Sequence, residues 1–379
     1  MKTEQTRWTQ GNGWEPTAPG RLAEAAQLVL LFGSTGVLKE QQHLDEIKRA
    51  YPTAHLLGCS TSGEIYGTQV FDDSLVATAI QFEATQIRGT RVKLSGGVSS
   101  FEAGEQLAKE LDEAGLVHVF VLSDGLHVNG SELVAGLAEH LPSHVAITGG
   151  LSGDGARFQE TLVFLDGEPE QAVIAALGLY GDRLQVGYGS LGGWDSFGPE
   201  RLITRSKGNM LYELDGKSAL ELYKTYLGEQ AKGLPATGLL FPLSLRTPES
   251  TTPVVRTILA VSEDEQSMTF AGDMPEGAYA RFMKANFDRL VDGATGAAKT
   301  SYEAVGSSSP DLAVLISCVG RKLVLKQRIE EEVEGVRDIL GDRTPLTGFY
   351  SYGEISPFTP GAKCELHNQT MTITTFSEK

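Results

Sequence analysis

The chain has 379 residues, 41% hydrophobic and 21% charged, and carries a net charge of −17 from 32 Lys+Arg against 49 Asp+Glu. That length allows two domains and a large core. The acidity argues against nucleic acid and anionic membranes as partners, since both select basic faces.

No apolar run is long enough to cross a bilayer. The polar stretch 1–20 has no signal-peptide core, and Cys59, Cys318 and Cys364 form no C-x-x-C pair. Together these predict a reducing, cytoplasmic setting. Residues 1–25 read as a loose or partly ordered arm. Leu28–Phe32 is a buried-strand run, followed by a helical stretch near Leu38–Ala50 and a second strand at His55–Leu57. That unit ends in Gly58-Cys59-Ser60-Thr61-Ser62-Gly63-Glu64-Ile65. Ser99 and Glu102 have capping-box spacing and start a helix.

A second strand–helix–strand unit follows. It comprises His118–Leu122, a helix opened by Asn129 and Glu132 through Leu133, Leu137 and Leu141, then Val145–Ile147. It runs into Thr148-Gly149-Gly150-Leu151-Ser152-Gly153-Asp154-Gly155. Thr161–Leu165 and Ala172–Leu179, joined by Asp166-Gly167, predict a hairpin-like pair. Arg183–Gly189 is another strand, and Gly189–Gly198, with Trp194, reads as a loop near a domain boundary. Asp215 stands where it would cap a helix carrying Leu220, Leu222, Tyr223 and Leu227. Thr237–Pro253, with Pro242, Pro248 and Pro253, reads as loop. Val254–Val261 and Ser267–Gly272 read as adjacent strands around an acidic turn.

The third unit is Leu312–Ile316, a helix near Leu325–Leu340 and Pro345–Thr347. Ile329, Val333, Val336 and Leu340 share one face of that helix. The unit ends in Gly348-Phe349-Tyr350-Ser351-Tyr352-Gly353-Glu354-Ile355, a second copy of G-x-x-x-x-G-E-I. Glu365–Phe376 has the Thr-rich alternation of a strand. The expected class is mixed α/β (α+β): strand-rich mixed sheets covered by helices, built from repeated strand–helix–strand–glycine-turn units.

Glycine allows positive φ and close backbone approach. If the bends near 60, 150 and 350 converge, they wall one pocket. The residues expected to line it are Cys59, Ser60, Thr61, Ser62, Glu64, Gly149, Gly150, Tyr352 and Glu354. The hydroxyls there, with Ser351 and the turn amides, suit a ligand carboxylate. Glu64 and Glu354 would either take a ligand amine or, the favoured reading, cap backbone amides of the neighbouring turn. Cys59 reads as a thiolate ligand, a redox site or simply a small buried residue. There is no P-loop, and Gly149-Gly150-x-x-Gly153 does not open a Rossmann helix. His140-x-x-x-His144 is interrupted by Pro142 and lacks further zinc ligands. Ser60, His127 and Asp124 make a triad only on paper.

The three turns, the Ser123–Leu133 segment and the ending Glu365-Leu366-His367-Asn368-Gln369-Thr370 together resemble the FIST family of sensory proteins, over about residues 26–376. The resemblance implies an arm at 1–25, a FIST N-like domain at 26–200 and a FIST C-like domain at 201–379. It implies a stand-alone, non-enzymatic ligand sensor that works through a separate partner. One branch binds haem, senses nitric oxide and regulates a histidine kinase and thereby cyclic-di-GMP or biofilm behaviour. The alternatives are a sensor of amino acids or another metabolite without haem, and a hydrolase-type enzyme using the Cys59–Ser62 turn. Homo-oligomer formation stays open. Haem needs an axial ligand, and His127, in a loop just past a strand end, ranks first. His55 and His367 are weaker candidates. His43 and His140 read as solvent-facing, and His118 and His144 as structural.

Overall fold

The computed structural model describes residues 1–247, 253–306, 309–359 and 361–379; Pro248, part of the expected loop, lies outside them. The three units are present and near-equivalent. In each, two parallel strands flank helical segments: Leu28–Gly33 with His55–Ser60, Leu116–Ser123 with Ala146–Leu151, and Leu312–Cys318 with Leu346–Ser351. A later strand pairs antiparallel with the first of each pair: Ser74–Gln81, Val173–Tyr180 and Met371–Glu378.

The fourth strand of each sheet is borrowed. Val163–Leu165, from the second unit, pairs with His55–Ser60 of the first. Gly353–Pro357, from the third, pairs with Ala146–Leu151 of the second. Glu64–Tyr66, from the first, pairs with Leu346–Ser351 of the third. The exchange is cyclic, so the three six-stranded sheets close into a pseudo-threefold ring.

The largely apolar first strands follow from this ring, because both of their faces are covered. Successive side chains alternate sides. Leu28, Leu30 and Phe32, Phe120 and Leu122, and Leu312, Val314 and Ile316 meet in one cluster inside the ring. Their neighbours turn outward into separate clusters: Val29 and Leu31, Val119 and Val121, and Ala313 and Leu315. The helices lie over those outer faces. Ser99–Glu102 forms the expected capping box on Ser100–Glu110. Asn129 caps Gly130–His140 by accepting from the Ser131 and Glu132 amides.

A smaller lobe is inserted between the second and third units. It leaves the ring at Asp195 and returns at Lys284, and these two residues face each other in adjacent strands. Its strands, from Asp195–Lys207 to Tyr279–Lys284, form an eight-stranded sheet. That sheet packs on the helix Ala219–Leu227 through Ile203, Leu220, Tyr223, Phe270 and Phe282.

Several expectations change. The arm is ordered: Lys2–Thr9 pairs along Ser74–Gln81 and turns back through Gly13–Glu15. Val163–Leu165 and Val173–Tyr180 are no hairpin, because the first is lent to another unit. The segment 189–198 is mostly strand; only Gly192–Trp194 breaks it, with Trp194 donating to the Gln369 carbonyl at 2.8 Å. The 219–227 helix is capped by Ser218; Asp215 instead accepts from the Leu202 amide and the Arg201 guanidinium. The 237–253 segment contains a strand, Leu243–Arg246, beside Tyr279–Lys284. Glu365–Phe376 splits into Cys364–His367 and Met371–Glu378 around Gln369, at φ 62°.

Candidate functional site

The three glycine bends do converge. The Ser62 amide donates to the Tyr350 carbonyl at 2.8 Å, Tyr352 to Leu151 at 3.1 Å, and Gly153 to Ser60 at 2.9 Å, a closed cycle of backbone bonds. Close approach is why glycine stands at 149 and 348. A Cβ there would sit 1.8 Å from the carbonyl oxygens of Val121 and Leu315 respectively, and both have φ +153°.

What the bends enclose is protein. Glu64 accepts from the Ser74 amide (3.2 Å) and hydroxyl (2.7 Å) and from Thr61 Oγ1. Glu354 repeats this with the Thr370 amide (3.2 Å) and hydroxyl (2.8 Å) and with Ser351 Oγ at 2.6 Å. Each carboxyl accepts a backbone amide, but at the start of its own unit's antiparallel strand rather than in the neighbouring turn, and so ties its turn to that strand. Burial pushes Glu64 up to about 7 and Glu354 up to about 8, against the lowering of their hydrogen bonds.

Cys59 is buried, and desolvation, then the nearby Glu64, push its thiol well above the ordinary value. Ser60 Oγ accepts from the Leu162 amide at 2.8 Å. Ser62 Oγ exchanges bonds with the Gly155 backbone at 3.2 and 3.1 Å. Thr61, Gly149 and Gly150 are buried too. Of the residues expected to wall a pocket, Tyr352 lines the large open space between the ring and the inserted lobe, and the others do not. All four side chains of the Cys59–Ser62 turn are buried.

The open space is a cleft of about 1230 Å³ between the ring and the inserted lobe. From the ring come the 125–130 loop, Leu151, Phe158, Tyr352 and the short helix Val319–Leu325; from the lobe come residues 233–240, 257–259 and 270–272. Phe158 stacks on Tyr352, with ring centroids 4.4 Å apart and planes 13° from parallel. The Tyr352 hydroxyl donates to Asp154, which also accepts the Phe158, Gln159 and Glu160 amides at 2.8–3.0 Å. That network fixes the aromatic pair at the cleft wall. Across the cleft's edge, Asn129 Nδ2 donates to Asp273 at 3.1 Å, and Gln369 Nε2 to the Leu239 carbonyl at 3.4 Å.

His127 lines the cleft with a half-exposed ring. Its Nδ1 lies 3.1 and 3.2 Å from the oxygens of Asp124, which is buried and also accepts the Leu126, His127 and Ala172 amides at 2.7–2.8 Å. Nε2 has no partner among the described residues. The other histidines are placed differently. His43 is buried, contrary to expectation, against Trp8 at 4.0 Å between ring centroids, with Nε2 3.1 Å from Glu40. His118 and His367 are buried, and desolvation lowers them to about 3 and about 4. His55 pairs with Asp166 and His140 with Glu105, both at 2.6 Å. His144 is exposed, just ahead of its strand.

Sequence reasoning missed Phe158, Leu323, Thr257 and Lys326. They are scattered over loops and helix ends of both lobes, with no shared spacing to mark them.

In comparisons with known proteins, residues 27–217 match the FIST N domain and residues 219–357 the FIST C domain. An uncharacterized protein of Methanocaldococcus jannaschii is 24% identical over 330 residues, 80% of this chain; the chain spans 61% of that relative's length. Among solved structures, a chorismatase aligns with 99% of this chain and 98% of its own at 9% identity and a TM-score of 0.35. A cyanuric acid hydrolase from A. caulinodans aligns with 100% and 99% at 8% identity and a TM-score of 0.38. Those two likenesses carry no statement about activity. The two domain matches, which run in order along most of the sequence, establish that this chain belongs to the FIST family, with a FIST N domain followed by a FIST C domain.

Proposed function

We propose that the chain is a non-enzymatic sensor of signal transduction. Its small-molecule ligand enters the cleft between ring and lobe, and a separate partner, a histidine kinase, reads the change in how the two pack. One observation carries this reading. Four of the exposed large apolar side chains, Leu126, Phe158, Leu259 and Phe287, gather on this cleft. Soluble proteins usually scatter such residues, and a gathered set marks a binding surface.

In its finer form the ligand is haem and the signal nitric oxide, relayed through the kinase to cyclic-di-GMP or biofilm control. The donor set fits. His127 offers a free Nε2 while Asp124 holds Nδ1, the second-partner arrangement typical of metal-bound imidazoles. Leu126, Val128, Leu151 and Phe158 supply apolar contact around it. Bound haem would supply an iron to which a diatomic gas can coordinate. The chain's own part is to fix the imidazole tautomer and to exclude water. The amino-acid and hydrolase readings lean on Glu64, Glu354 and the Cys59–Ser62 turn, whose groups are already engaged inside the protein.

The test is reconstitution with haem. A Soret band that moves on adding nitric oxide, is lost in His127→Ala and accompanies a change in kinase autophosphorylation supports the finer reading. No band, or one indifferent to His127→Ala, ends it. Ligand binding that survives a cleft-blocking Leu323→Trp ends the cleft reading as a whole.

A further inference from the structure

The charge of the cleft is unlike that of the chain. The protein carries −17, yet no Asp or Glu is among the described residues lining the cleft, whose only basic side chains are Lys326 and His127. The acids just behind the wall are spent on donors: Asp124 on three amides and His127, Asp154 on three amides and Tyr352, Asp273 on Asn129.

On the lobe side there is a buried cation with no carboxylate in contact, Glu365 and Asp273 acting on it only from beyond salt-bridge distance. Arg256 is 6% exposed, and its guanidinium donates only to the carbonyls of Asp273 (3.3 Å), Val255 (3.2 Å) and Leu366 (3.0 Å). Among the described residues no carboxylate lies within ion-pair distance of it. Burial lowers it to about 10, so it stays charged at neutral pH. It lies directly under the wall: a Cβ on Gly272, a lining residue, would be 2.8 Å from Arg256 Nε. The next residue, Thr257, also lines the cleft; it is 4% exposed and its Oγ1 has no hydrogen-bond partner. A desolvated hydroxyl without a partner is costly unless something outside the chain completes it.

We propose that the cleft recognises a small organic carboxylate with an apolar body. The acid group is taken on the lobe side by the Thr257 hydroxyl in the positive field of Arg256 and Lys326, and the body lies against Phe158, Leu323 and Leu259. The inference rests on reading the cleft as the ligand site. A cationic ligand would meet no acid on the lining, and a neutral one would make no use of Lys326.

The test uses 1-naphthaleneacetate and its uncharged amide as probes, titrated by calorimetry into the full chain. The acid is expected to bind about tenfold tighter than the amide, the scale of one charge-assisted hydrogen bond. Thr257→Val, which keeps shape and removes only the hydroxyl, should weaken the acid several-fold and leave the amide unchanged. Lys326→Glu, on an exposed side chain, should weaken the acid by about tenfold. Equal binding of acid and amide, or no effect of either substitution, overturns the proposal. If the acid fails to bind while haem uptake persists and is blocked by Leu323→Trp, the anion inference falls and the cleft reading stands. If binding of both ignores Leu323→Trp, both fall.

Discussion

The first turn is sealed; the middle one, joined by Tyr352 of the third, opens on the cleft. Counting from the close-packed glycines 58, 149 and 348, the third residue is a hydroxyl in every unit: Thr61, Ser152 and Ser351. The sixth is Glu64 or Glu354 in the outer two and Gly155 in the middle one. Where the glutamate is present it takes the hydroxyl and clamps the next strand. Where it is missing, Ser152 Oγ has no partner, Asp124 takes over the amide ahead of the antiparallel strand, and Asp154 holds Phe158 and Tyr352 at the cleft instead. The repeated glutamates are therefore scaffold, while the unit that lacks one faces the cleft together with Tyr352 of the third copy.

The comparison can be broken most forcefully at the glycines. Gly149→Ala or Gly348→Ala should cost more than about 4 kcal/mol, because the Cβ meets backbone that cannot yield. Gly155→Ala, with its nearest neighbour 3.6 Å away, should cost only about 1 kcal/mol for its φ of +74°. Denaturant midpoints check this, and similar losses at 149 and 155 would sink the contrast. Next comes Glu354→Ala, which strands one amide and two hydroxyls and should cost about 3 kcal/mol.

A smaller effect appears in pH dependence. Glu64 and Glu354 titrate near 7 and 8 in the folded chain against 4.5 unfolded. The folded state then holds the extra protons, so their contribution falls as pH rises through that window. Buried His118 and His367 act in the opposite sense, but only below their unfolded value of 6.5. Stability should therefore decline between pH 6.5 and 8, and the Glu64→Gln/Glu354→Gln double variant should flatten that slope in thermal melts. Smallest of all, His127→Ala should change stability by less than about 0.5 kcal/mol, being half exposed. A large loss there would mean the 125–130 loop is scaffold after all.

The strands at 28–33, 116–123 and 312–318 were legible because both faces are buried, leaving runs that are apolar but for His118 and, near the strand ends, Ser123 and Ser317. The 287–305 helix was not. Its buried face runs from Leu290 to Val305 through Gly293, Ala294, Ala297, Ala298 and Ser301, mostly small residues that leave a weak hydrophobic period. The borrowed strands Glu64–Tyr66 and Val163–Leu165 are too short to announce a partner, so the ring was invisible although its bends were placed correctly. The site suffered most, since a repeated motif drew attention to groups whose task is to hold strands together. The cleft is drawn from loops of two lobes; its ring side, the 125–130 loop, Leu151 and Tyr352, stood in motifs, whereas its lobe side stood in none.

The cyclic lending of strands has a consequence for biosynthesis. The edge offered by Glu64–Tyr66 finds its mate only once residues 346–351 have left the ribosome, and the whole inserted lobe must be made in between. Nascent chains will spend that interval with an unsatisfied sheet margin, a state prone to wrong association and slow to resolve when contacts are this distant in sequence.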